Sequence, residues 1–263
     1  MIRVFFAEWR KLRRPTLFFG TMGAVMAVTA LVTSLLFLLL DSPRGNAREG
    51  QMISRQTLEL AHGVSIGFSS AAGLLGLVAL CVFAAQTAQE YTYGTLRNLL
   101  VRQPRRLQLL LGKYVSMASF AIVMVILAAI VSMSLAFGLS GKAKVETDAW
   151  VTSDALQELV KTFGNVLLSV IAFGTIGMIL GLLLRSPISA ISLGVIWLLI
   201  VENILVAVKS SLGTWMPGIL ISTIAVGGTD DISYTHSITM VTIYLVVSTA
   251  IVVTLFKRRD VSN

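Results

Sequence analysis

The sequence predicts an all-α, polytopic membrane protein with six transmembrane helices, and three observations carry that expectation. Of its 263 residues, 56% are hydrophobic and only 13% charged, with a mean hydropathy of +0.84, whereas a soluble domain holds about 25% charged residues. Six apolar runs are long enough to cross a bilayer, which takes about 20 residues each: 16–40, 64–87, 107–139, 163–184, 189–208 and 238–256. The basic residues behind the net charge of +8 flank those runs instead of forming one patch. That distribution orients spans in a membrane and argues against nucleic acid as a partner.

Residues 1–14 read as an amphipathic helix on the membrane surface. Ile2, Phe5, Phe6, Trp9 and Leu12 recur at spacings of three and four and share a face, while Arg3, Arg10 and Arg14 take the other side. Phe5, Phe6, Trp9, Arg10 and Arg14 are therefore candidate membrane-interface residues. Pro15 ends this segment or starts the next. The run 16–40 is too long for a signal-peptide core and reads as a retained span. Lys113, near the start of the third span, is expected to reach back to the interface. Residues 51–61 and 153–161 read as continuations of neighbouring helices, and Pro187 leaves room only for a tight turn between the fourth and fifth spans.

Residues 212–226 are apolar but only about fifteen long and contain Pro217, which fits a re-entrant or interfacial segment better than a span. Charge supports that count. With six spans and both termini in the cytoplasm, 14 of the 21 Lys and Arg lie inside and 7 outside. A seventh span would carry Lys257, Arg258 and Arg259 across, leaving 11 against 10 and erasing the positive-inside bias. The whole chain, 1–263, thus reads as one membrane domain.

The stretch 89–106 is the most purposeful polar segment. Glu90 marks where the second span leaves the apolar core; Gly94 can break that helix, Thr95 can cap a new one, and Pro104 limits it. Between these brackets Leu96, Leu99 and Leu100 share a face, while Arg97 and Asn98 point elsewhere. A two-turn helix is too short to stand alone and needs the membrane or a partner to cover its leucines.

Catalytic constellations are missing from the sequence. Gly141-Lys142 is followed by Ala143, and Ala136 holds the first-glycine position, so this is no phosphate-binding loop. No zinc-peptidase motif or nucleophile–histidine set can be assembled, and the chain is not expected to be an enzyme on its own. Cys81 reads as a packing residue, and His62 and His236 as residues of outer helix ends. The acid well inside a span is Glu202, beside Asn203. An ionised acid at a helix centre costs roughly 2.5–3.5 kcal/mol. Two readings stand: a charge in or beside a substrate path, or an acid held by hydrogen bonds between helices. The first would suit a gradient-driven secondary transporter or channel; a non-transporting anchor subunit is a further alternative.

Glu90 to Leu100, with Pro104, Arg106 and Gly112-Lys113, resembles the pattern of type-2 ATP-binding-cassette permeases, especially the small bacterial bacitracin-resistance, lantibiotic-immunity and sodium-efflux permeases. The basic N-terminal helix and the ending 256–261 are similar too. The resemblance implies an exporter subunit in the bacterial cytoplasmic membrane, dimeric with itself or a related permease. Separate cytoplasmic ATPase subunits, binding ATP and Mg, would drive it; no cofactor is expected in this chain. It makes 1–14 a connecting helix, and 90–106 a coupling helix, with Glu90, Gly94, Thr95, Leu96, Arg97, Leu99, Leu100, Pro104 and Arg106 as coupling residues. It also makes 212–226 an outer re-entrant segment. Substrates in that family span peptide antibiotics, drugs, lipids and ions.

Overall fold

A computed structural model describes residues 2–40, 54–95, 99, 101 and 105–258, with 257 and 258 described by backbone only. The helices are α1 (Ile2–Leu12), α2 (Pro15–Leu38), α3 (Arg55–Glu59), α4 (Gly63–Ser70), α5 (Ala72–Thr92) and α6 (Arg106–Ala143). There follow α7 (Ser153–Leu184), α8 (Pro187–Ile196), α9 (Glu202–Val208), α10 (Pro217–Val226) and α11 (Tyr234–Arg258). Six of the resulting rods are long and apolar enough to cross a membrane: α2, α4 with α5, α6, α7, α8 through α9, and α11. This is a multi-pass integral membrane protein. Among the described residues there is no strand.

The chain starts these helices with the residues suited to helix starts. Pro15, Pro187 and Pro217 each stand in the first turn of α2, α8 and α10, where the missing N–H costs nothing. Thr152 and Ser186 accept from the backbone N–H of Ala155 and Ser189 and so cap α7 and α8. The turn between the fourth and fifth spans is as tight as Pro187 demands, with Arg185 left-handed at φ 55. One expectation is corrected here: residues 55–59 form a separate short helix, because Leu60 is extended and ends it. Within the apolar stretch 212–226 the chain leaves a 3-10 segment, Ser210–Trp215, and turns at the extended Met216 before Pro217 begins α10. Residues 153–161 do continue α7, as expected.

The second and fourth rods, α5 and α7, form the centre of the bundle. Lipid tails are as apolar as side chains, so helices associate through close packing of small residues. Here the Phe173 ring fills the space above Gly76, and Phe83 reciprocally covers Gly174. Gly177 rests directly on the Leu80 carbonyl and Gly181 on that of Ala84, where an added Cβ would stand 2.9 Å from the oxygen. At one end of the bundle a small cap forms around Trp150, edge-on to Phe37 and Phe137, with its indole N–H donating to the Leu58 carbonyl at 2.8 Å. The other end holds α1, the segment between α5 and α6, the 185–187 turn and the last turns of α11.

Candidate functional site

At that second end the polar chemistry concentrates. Helix α1 presents Val4, Glu8 and Leu12, at successive spacings of four, to the rest of the protein, and all three are buried. An acid in the middle of a buried stripe needs partners. Glu8 Oε1 accepts from Lys11 Nζ at 2.6 Å, and Glu8 Oε2 from Lys113 Nζ at 2.8 Å. Glu90 Oε1 accepts from both lysines, at 2.8 Å each, and Lys113 also donates to the Gln86 carbonyl at 3.0 Å. All three N–H groups of the Lys113 ammonium therefore have acceptors. The cluster holds two acids and two lysines and is electrically neutral.

Burial alone would raise the Glu8 carboxyl, but the facing Lys113 and Lys11 outweigh it and hold it below its ordinary value of 4.5. Burial alone would likewise lower Lys11, yet Glu90 and Glu8 hold its ammonium above the ordinary 10.5. Lys113 thus departs from the expected reach to the interface. At 2% exposure it turns inward, because two carboxylates and a carbonyl offer a better home than a snorkelled path to water.

The geometry brackets the segment 93–105. Glu90 sits at the foot of α5 and Lys113 two turns into α6, so both limbs flanking the segment are fastened to α1. Gly94, with φ 64, ends α5 in a conformation glycine tolerates freely. The Thr95 hydroxyl turns back to the Glu90 carbonyl at 3.5 Å. Leu99 is half-buried against the chain's own core, while Tyr93 and Val101 stand out at 72% and 78% exposure. Arg106 Nη1 donates to the Phe256 carbonyl at 3.0 Å, tying α6 to the end of α11. The Arg185 guanidinium lies 5.5 Å from the centre of the Tyr91 ring, joining the 185–187 turn to α5. Leu96, Arg97, Leu100 and Pro104 lie outside the described residues.

The interface candidates divide. Phe6, Arg10 and Arg14 are exposed, whereas Phe5 and Trp9 are half-buried, Trp9 meeting Phe120 edge-on at 6.0 Å. The protein-facing stripe of α1 is offset from the apolar face read from the sequence by roughly one residue position, about 100°. The signal was present but unread: Glu8 is flanked by Val4 and Leu12 in an i, i+4, i+8 series.

Glu202 lies elsewhere, in the fifth span, and is fully buried. The helix is wound more loosely over Trp197–Val201, where the Glu202 N–H reaches the Trp197 carbonyl five residues back. Its carboxylate oxygens accept from the backbone N–H groups of Gly218 and Ile219, each at 3.1 Å. Those are first-turn donors of α10 that have no partner within the helix. Asn203 points away from this contact; its Nδ2 donates to the Leu199 carbonyl at 3.0 Å and it is exposed. The structure therefore joins Glu202 to α10 and does not bring it near the Glu8–Lys113 cluster. Among the described residues, no group of three or more His, Cys, Asp or Glu is placed to hold a metal.

A helical multi-pass membrane protein with a neutral ion cluster at one end is the class these features define. Within it, residues 46–262 match the family described as "Protein of unknown function (DUF2705)", and the chain belongs to that family. It is also similar to the "Uncharacterized protein YhcI" of Bacillus subtilis (strain 168), 25% identical over 206 residues. That match covers 72% of this chain and 66% of the relative, so the chain spans just under two thirds of the relative's length.

Proposed function

We propose that the chain is the membrane-spanning permease subunit of an ATP-driven exporter in the bacterial cytoplasmic membrane, working as a dimer with separate ATPase subunits. The observation that carries this reading is the bracing of segment 93–105. A partner that pushes on a free loop moves only the loop. Here a push is passed through Glu90 and Lys113 to α1, and through Tyr91–Arg185 and Arg106–Phe256 to two further spans. The likeness of 90–113 to type-2 permeases, and a sequence without a phosphate-binding loop, support the same reading. In this scheme the braced end and both termini are cytoplasmic, and α10 is an outer re-entrant helix closing the path. ATP and Mg bind the partner subunit, and the cargo is a peptide antibiotic, drug, lipid or ion.

A secondary carrier built on Glu202 has less support, because both carboxylate oxygens are engaged by backbone donors of α10. A non-transporting anchor would give the bracing no task.

Since Leu99 faces the chain's own core, the exposed Tyr93 and Val101 are the better docking side chains. Purification of the tagged chain in mild detergent should bring down an ATP-binding subunit in fixed proportion. Val101→Asp should lower that yield at least about tenfold, the cost of one buried interface contact, while the chain itself stays folded. Active transport by the chain alone, driven by an ion gradient, would refute the exporter reading.

A further inference from the structure

We infer that the outward face of α1 is a docking surface for an anionic phospholipid leaflet, and that such lipid holds α1 against the bundle. This goes beyond the exporter reading and does not depend on it. Glu8 is the acidic residue of α1, and it is consumed by the buried cluster together with Lys11. Arg3, Arg10, Arg13 and Arg14 remain exposed, and among the described residues none of them has an ion-pair partner. Four arginines over about three turns, with no acid paired to them among the described residues, call for anions.

The position of the helix says which anions. Glu8 meets Lys113 while its neighbour Trp9 meets Phe120, seven residues or about 10 Å deeper along α6. Phe18, just inside the first span, meets the same Phe120 ring at 6.1 Å. Helix α1 therefore lies against the side of α6, level with the entry of α2, and not beneath the bundle. Only two residues, Arg13 and Arg14, separate α1 from α2. Its uncovered flank faces the bilayer boundary, and Ile2 and Phe6, exposed at 73% and 56%, stand on that flank beside the arginines. Apolar side chains suit the acyl region, and guanidinium groups above them suit lipid phosphates and anionic headgroups. A soluble acidic partner would satisfy the arginines but leave Ile2 and Phe6 in water.

The test is amide hydrogen exchange of the full chain in nanodiscs of phosphatidylcholine, with and without phosphatidylglycerol at about one third of the lipid. Phosphatidylglycerol should slow exchange over residues 4–12 at least about tenfold, a discount on the roughly fivefold that each arginine gains at an anionic surface. Added salt should erase the difference. The triple variant Arg3→Gln, Arg10→Gln, Arg13→Gln should lose it, while Lys142→Gln at the opposite end keeps it. Equal exchange in the two lipids, or a difference that survives high salt or the triple substitution, would overturn the proposal. So would loss of the difference in Lys142→Gln, which would mark an effect of overall charge. Full protection already present in detergent would overturn it too, because protein, a second copy included, would then cover the face. Wild-type salt dependence decides the matter even if the triple variant fails to fold.

Discussion

Lys113 is the residue on which the braced end turns. Two carboxylates and the Gln86 carbonyl converge on its ammonium, so removing it strands buried negative charge. Lys113→Met should cost about 3–5 kcal/mol, the usual loss when one partner of a buried ion pair is deleted, read as a lower thermal unfolding midpoint in detergent. Adding Glu8→Gln to Lys113→Met leaves Glu90 paired with Lys11 alone and should recover part of that loss, which simple loss of packing would not allow. The cluster also sets a pH window. Glu8 is held below its ordinary 4.5, so its contribution is present above that value and lost as pH falls through the lowered one. Lys11 is held above 10.5, so its contribution is complete below that value and lost as pH rises beyond it. Attachment of α1, followed by its amide exchange, should be level between these limits and loosen outside both. None of this pairing was legible in the sequence. Glu8 and Lys113 stand 105 positions apart, and a lysine near the start of a span looks like one reaching for water.

At the scale of the element, α10 shows what a ten-residue helix needs in an apolar setting. Its length, about 15 Å, cannot cross a bilayer, and its first-turn N–H groups would be orphans without Glu202. The contact requires glycine at 218: a Cβ there would stand 2.7 Å from both Glu202 Oε2 and Leu198 Cδ2. Glu202→Gln keeps one acceptor and turns an NH2 group toward the other donor. The loss should be about 1–3 kcal/mol, the cost of an unsatisfied buried group, and exchange over residues 218–226 should rise. If exchange there stays unchanged, the carboxylate does not hold the helix. The sequence offered Glu202 as either a charge on a path or an acid bonded between helices. The bond partners themselves could not be read, because backbone donors leave no mark on side-chain pattern. Helix ends were more legible. Prolines and serine or threonine caps marked several starts, although α7 begins ten residues before its apolar run, with no change of helical character to signal the bilayer edge.

At the scale of the molecule, six spans were legible because length and composition alone impose them. The α5–α7 seam was less legible: the four-residue spacing of Gly177 and Gly181 permits a close contact but, in so apolar a chain, does not single one out, and the reciprocal phenylalanines, Phe173 over Gly76 and Phe83 over Gly174, emerge only in three dimensions.

The seating of α1 sets a timetable for the ribosome. Glu8 is made early, but Lys113 follows 105 residues later, a wait of roughly 5–20 s at about 5–20 residues per second. For that interval the first helix leaves the ribosome with its acid unmatched by Lys113 and Glu90, and it can settle only once the third span has begun to insert. Nascent chains arrested before Lys113 emerges should leave residues 2–12 open to protease, and chains arrested after α6 is inserted should protect them. Helix α1, made before the six spans, thus finds its seat only after the third of them.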